Sequence, residues 1–338
     1  MTDLTLAKNE ALPSSGLASL LKRSGADWRQ YVIYIGFAAT FAIFAITLKH
    51  SGFLQSNNLL NIPRQASVVA VAAVAMTFVI ASAEIDLSVG SLAGLAGIAA
   101  AFGSNHGGLP VAILAALGVG LIIGMLNGLL VTVVGIPSFL VTLSMLWMIR
   151  GFGQWRTSAK GQPIAAPSFA TIFGSNTMRI VWLVVFAVVG TIVLNKTRAG
   201  RQVLATGGSR TAAEFSGIST KRVKFWIFVA SSLCASFAGM ILAANLNNTG
   251  KYEYGQGLEL SVIAAVILGG TSLFGGKGSI PGTIFGALFV QLIGNGLLLT
   301  GLESSQLDII KGAIIIVNVS GCGDKDVAEV ARFEGVKL

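Results

Sequence analysis

"LSVGSLAGLAGIAAAFGSNHGGLPVAILAALGVGLIIGMLNGLLVTVVGIPSFLVTLSMLWMI", Leu87 to Ile149, contains no Asp, Glu, Lys or Arg. A helix needs about 20 apolar residues to cross the hydrocarbon of a bilayer, so this run is long enough for several crossings. "GSNHGGLP" and "GIP" punctuate it as turns and divide it into three spans. Working outward, Tyr31 to Leu48 and Gln65 to Ala83 precede it. Ile180 to Asn195, Phe225 to Asn248, Leu260 to Gly276, Ser279 to Leu302 and a short run from Ile309 to Val319 follow. The sum is about ten spans. A membrane β-barrel shows alternating segments, and these runs are continuous. Of 338 residues, 54% are hydrophobic and 11% charged, a balance that a single soluble core does not need. The predicted fold is all-α, a polytopic membrane protein. No small-residue cleavage site follows the first run, so it reads as a retained span and not a removed signal.

Lys and Arg in short loops stay on the cytoplasmic side. The loop after span six carries Lys196, Arg198, Arg201, Arg210, Lys221, Arg222 and Lys224 against the one acid Glu214. The N-terminal segment holds Lys8, Lys22, Arg23 and Arg29 before span one. Six spans separate the two, an even number, so a cytoplasmic N-terminus and a cytoplasmic loop agree. The loop from Gly151 to Arg179 then falls outside, where Arg156, Lys160 and Arg179 break the charge rule mildly. The net charge of +9 reads as topology and affinity for anionic lipid headgroups, not for nucleic acid. Three regions result: a cytoplasmic segment 1–30, a membrane domain 31–319 containing the basic loop 196–224, and a polar tail 320–338. Cys234 and Cys322 form no disulfide framework or metal spacing.

Within the basic loop, "GRQVLATGGSRTAAEFSGISTKR", Gly200 to Arg222, is a polar island between apolar runs. Thr211 followed by Glu214 fits a capping box, which starts a helix. Gly217 supplies a left-handed ending, leaving Ala212 to Ser216 with Phe215 as the large apolar side chain. So short a helix is unstable alone in water and needs support. Residue pattern by itself leaves two readings: a surface loop helix, or a helix offered to a cytoplasmic partner.

The island resembles the cytoplasmic loop of permease subunits of sugar-importing ABC transporters, the family of ribose, xylose and arabinose permeases. Its pattern is Gly-Arg, then Ala-x-Gly, then paired alanines, then Gly-Ile. "EIDLSVGS" is similar to that family's signature after its second span, "NGLLVTVVGIPSFLVTLSMLWMIRG" to its central spans and "VIAAVILGGTSLFGGKGSIPGTIFGALFVQLIGNGL" to its C-terminal half. The resemblance covers roughly residues 60 to 315, with several motifs in order. It implies a coupling helix that seats on an ATPase subunit, with Thr211, Ala212, Ala213, Glu214, Phe215 and Gly217 in that role. It implies an ABC ATPase, an extracytoplasmic sugar-binding protein and a second permease subunit as partners in a bacterial inner membrane, and no cofactor. Two departures stand out: Ala83 and Glu84 precede Ile-Asp-Leu where family members carry two small residues, and the polar "SGCGDKDVAEVARFEGVKL" follows "IIIVNV". A last span of that length is short for a bilayer, so the expectation is a final span that is short, rebuilt or absent, the sequence changing character near Asn318.

Other chemistries fail on spacing. In "GGTSLFGGKGS", Lys277 precedes Gly278 where a phosphate loop needs Ser or Thr, so it reads as a tight interhelical turn. His50 and His106 are isolated in expected outer loops, which leaves no metal cluster. No nucleophile and base pair is visible, so the chain is not read as an enzyme. Glycine, 42 residues, is expected to serve close helix packing. Asp86, with Ser88, reads as helix capping or gating structure in preference to direct sugar contact. "IDLSVGSLAG" at Ile85 recurs loosely as "LELSVIAAVI" at Leu258, aligning Asp86 with Glu259 across an offset of five spans, as an inverted repeat requires. Alternatives are an ABC permease for branched-chain amino acids or nucleosides, and an ion-coupled secondary transporter.

Overall fold

The computed structural model describes residues 32–249 and 255–302, together with 306, 309 and 312. Among the described residues, five helices are long and apolar enough to cross a membrane, by length and composition. One of them, Val89–Val134, holds two of the expected spans. Helix α1 is Val32–Thr47 and α2 is Ser56–Ala81. Helix α3, Val89–Leu129, ends in a π-helical turn, Leu130–Val134. Helix α4 is Ser138–Thr157. The short α5, Pro167–Phe169, leads through a π-helical turn to α6, Asn176–Lys196. Then come α7, Arg198–Gly208, and α8, Arg210–Phe215. Helices α9, Thr220–Leu246, α10, Leu258–Leu268, and α11, Ile280–Leu299, complete the described bundle. The expected last run, Ile309 to Val319, lies outside the described residues apart from Ile309 and Gly312, as does Cys322.

The "GSNHGGLP" punctuation breaks α3 at Gly107 and Gly108, where φ at Gly108 is 64°. A Cβ at Gly103 would run into Ala112 backbone at 2.8 to 2.9 Å, so the two arms fold back on each other. Helix α9 packs along both arms. Gly120, Gly124 and Gly128, four residues apart on one face, let it approach: a Cβ there would lie 2.9 Å from Ser232 O, 2.8 Å from Val229 Cα and 2.8 Å from the Phe225 ring. Small residues on one face are how helices pack when lipid supplies no hydrophobic drive between them. The central element is α2, whose apolar window is 83% buried and which packs against α6, α9, α10 and α11.

Several expected boundaries move. Helix α2 starts at Ser56, well before Gln65, and carries Pro63 inside it; Asn58 and Asn295 of α11 exchange two amide hydrogen bonds, 2.9 and 3.0 Å, that hold this first part. Helix α4 continues past Ile149 through Arg150 and Arg156, because both cations have partners: Arg150 pairs with Glu259, and Arg156 lies 4.9 Å from the Phe102 ring centre. Helix α10 ends at Leu268 instead of Gly276, since Gly270, Gly275 and Gly276 all have positive φ. Residues 269–279 form a tight turn, as "GGTSLFGGKGS" suggests, with Gly276 N–H donating to Ala81 O at 2.9 Å.

Loops gather at two ends. At one, Ile85 N–H donates to Ser138 Oγ (3.3 Å), and the turn 269–279 meets Ala81 and Gly207. At the other, Ala165 N–H donates to Ser104 Oγ (3.1 Å), and Thr249 N–H to Gln162 O (3.0 Å).

Candidate functional site

Helix α8 stands at the first of these ends. Ser209 caps it, its hydroxyl accepting the Ala212 amide at 3.3 Å. This corrects the expected capping box: Thr211 is not the cap, and the helix opens at Arg210. The reason is the partner choice of Glu214, which reaches back one turn to Arg210 Nε (3.0 Å) and forward to the Thr220 hydroxyl (2.6 Å). Gly217 ends the helix as expected, with φ +79°. Its amide donates to Glu214 O and that of Ile218 to Ala213 O, both 3.0 Å, which is a Schellman ending. Ala213 packs inward at 3% exposure, and Phe215 points away from the bundle at 89%. The Thr220 hydroxyl, and after it the Arg210 guanidinium, holds the Glu214 carboxyl below the usual value near 4.5.

Sequence reasoning missed α7, the helix that carries α8. Thr197 caps α7 by accepting the Gly200 amide at 3.2 Å, and Gly200, Val203 and Thr206 face inward at helical spacing. That spacing, after a threonine, was the available signal. Gly207 docks the end of α7: a Cβ there would strike Ala81 O. Helix α8 is thus fixed at both ends, by α7 before it and by α9 after it.

From Thr220 a chain of polar contacts leads inward. One turn along α9, Lys224 is ion-paired with Glu84, the carboxylate that departs from the resembled pattern. Beside this pair a cleft of about 440 Å³, lined by Thr132, Ser138 and Arg210 among others, opens between α8 and the turn after α3. Two residues beyond Glu84, Asp86 is fully buried. Its Oδ1 accepts the Ser88 amide (3.0 Å) and hydroxyl (2.6 Å), and its Oδ2 accepts the Ser231 hydroxyl (2.8 Å). Asn127 Nδ2 donates to Ser88 Oγ at 3.0 Å. Asp86 therefore ties both arms of α3 to α9. It forms a turn ahead of the helix, not a cap on it, and Ser88, at the capping position, makes no capping bond.

Glu259 sits in the first turn of α10, 7% exposed, with Oε1 3.4 Å from Arg150 Nη2. A Cβ on Gly90 would meet the Glu259 carboxylate and lie 2.7 Å from Gly255 O. The first turns of α3 and α10 thus meet, the one preceded by the buried Asp86 and the other carrying Glu259. Asp86 and Glu259 themselves have separate partners. Arg150, Asn127 and Ser231 went unread in the sequence, since each lies within an apolar run, and Lys224 was read there only as one cation of the basic loop. Among the described residues no group of three His, Cys, Asp or Glu side chains is placed to hold a metal.

The chain is 38% identical over 319 residues to the probable ABC transporter permease protein YphD of Escherichia coli K12, covering 93% of this chain and 95% of that one. It is 38% identical over 286 residues to the ribose import permease RbsC of the same strain, covering 79% and 86%. It is 31% identical over 367 residues to the xylose transport system permease XylH of Haemophilus influenzae, covering 89% and 97%. No solved structure matches. A family model described as branched-chain amino acid transport system / permease component matches residues 58–319, and the chain belongs to that family.

Proposed function

We propose that this chain is the membrane permease of a sugar-importing ABC transporter, passing a monosaccharide that an extracytoplasmic binding protein delivers. A separate ATPase drives it, and a second permease subunit completes the path. The observation that carries the reading is α8, a helix fixed at both ends that presents Phe215 at 89% exposure on the basic end of the bundle. An aromatic side chain standing clear of its own fold is an anchor for a partner pocket. The names of the relatives, a ribose importer and a xylose transporter, favour sugar over branched-chain amino acids or nucleosides. The Lys and Arg content of 196–224 supports a cytoplasmic α8, hence a cytoplasmic N-terminus and a bacterial inner-membrane location. Asp86, Ser88 and Glu259 act as gating structure between α3, α9 and α10. An ion-coupled carrier is less favoured, because Asp86 has both oxygens occupied by the chain's own donors and Glu259 faces Arg150.

The test is uptake of labelled pentoses and hexoses into vesicles reconstituted with the permease, its ATPase and its binding protein. Uptake that needs ATP and survives collapse of ion gradients is expected. Uptake that follows an ion gradient without ATP would overturn the assignment.

A further inference from the structure

A cleft of about 620 Å³ lies between α2, α6, α7 and α9. Its walls are apolar over most of their length, with Val74, Phe78, Phe186 and Ile227 among them. Sugar hydroxyls need hydrogen-bonding partners along their path, and these walls are apolar away from one mouth, so the cleft does not suit a sugar path. Its polar groups are concentrated at one mouth, where α7 contributes Gln202 and the start of α9 contributes Arg222. Trp226, 61% exposed, stands one turn further along α9 on the same lining. Arg222 is exposed, and its side chain makes no hydrogen bond or ion pair among the described residues.

Dimensions and charge together select an occupant. From Arg222 at the mouth to Cys234 at the inner end, α9 rises about 18 Å. One leaflet of a bilayer is about half of the ~30 Å hydrocarbon thickness, so the cleft runs the depth of one leaflet. An apolar groove of that depth accepts an acyl chain. An arginine at its mouth, one turn from an exposed tryptophan, a side chain enriched at membrane interfaces, suits a phosphate-bearing headgroup. Arg198 and Arg201, exposed on α7 next to the lining residues Ala199 and Gln202, add attraction for negative charge.

We propose that this cleft holds one anionic phospholipid from the leaflet on the side of the basic loop, its acyl chain along α9 and its phosphate at Arg222. The lipid packs α7 against α2, α6 and α9, and α7 is the element that carries α8.

The experiment uses the full chain in nanodiscs containing equal parts of phosphatidylglycerol and phosphatidylcholine, released into detergent and read by native mass spectrometry. Retained phosphatidylglycerol in preference to phosphatidylcholine is expected. Arg222→Gln should reduce that preference about fivefold, the loss expected for one surface cation facing anionic lipid. Ala230→Phe, at an exposed lining position of α9, should remove the retained lipid by filling the groove, and Ala199→Leu should do so from α7. Both fillers are read only in samples that elute as monodisperse protein; if one misfolds, the other decides. An unchanged preference in Arg222→Gln overturns the anionic assignment. Lipid retained unchanged in a folded filler variant overturns the cleft as its site. Fillers that leave lipid unchanged but split a permease dimer would assign the cleft to a second copy of the chain and overturn the proposal.

Discussion

The carboxylate of Glu214 accepts the Thr220 hydroxyl at 2.6 Å, which joins the last turn of α8 to the first turn of α9. Lys224, one turn further on α9, continues the connection to Glu84. Two residues later Asp86 binds Ser231 of the same helix. These contacts link α8, through the first turns of α9, to Glu84 and Asp86, and Asn127 of the second α3 arm joins the same network at Ser88.

Phe215→Ala should leave folding intact, because a side chain 89% exposed contributes little to the bundle. Loss of an anchor worth roughly 2 kcal/mol or more should weaken ATPase binding at least about thirtyfold. Co-purification of the ATPase with the variant checks both halves. Full binding and full ATP-driven uptake would return α8 to an ordinary surface turn.

The Glu214 carboxyl titrates below its usual value near 4.5, so its bonds to Thr220 and Arg210 persist at neutral pH and are lost only as pH falls through the lowered value. Carbon-13 NMR of labelled glutamate, with Glu214→Gln for assignment, should place the midpoint under 4.5. Thr220→Val removes the larger cause and should move the midpoint upward. A midpoint unmoved by Thr220→Val contradicts the contact.

Glu84 and Lys224 are a mostly buried pair, their side chains 12% and 17% exposed. Removing one partner leaves the other buried without compensation, so Glu84→Gln and Lys224→Met should each cost about 1–3 kcal/mol. The double variant should cost less than the sum. Thermal unfolding of the four proteins in detergent measures this, and strict additivity would show that the pair does not interact.

Asp86→Asn exchanges one accepting oxygen for an NH2 that faces donors on Ser88 or Ser231. A loss of about 1–3 kcal/mol in the same assay is expected. Ser231→Ala should cost less, since it removes one of three bonds to the carboxylate. Equal stability in Asp86→Asn and the unaltered protein would mean the carboxylate is not what holds α3 to α9.

A cysteine introduced at Ser209 should resist an impermeant thiol reagent applied from outside cells and react once the membrane is opened. Equal labelling from outside reverses the orientation.

The polytopic all-α character follows from the sequence itself, because an uncharged stretch such as Leu87 to Ile149 has no stable place in water whatever its neighbours do. Gly217 and the "GSNHGGLP" break were equally legible, since only glycine adopts positive φ freely and the backbone conformation there is a local property. Tertiary contacts decided the rest. Arg150 reads as the end of a span until Glu259, far away in the chain, turns it into an interior residue of α4. Glu214 reads as a capping residue until Thr220 and Arg210 supply better partners, which shifts the cap to Ser209. The sequence aligned Asp86 with Glu259, but only packing at Gly90 and Gly255 brings the two first turns together. A local rule sees hydrogen-bonding groups within a few residues. Which distant donor or acceptor a buried polar group meets depends on how the helices pack, and that was set here by small residues such as Gly120, Gly124 and Gly128, which carry no chemistry of their own.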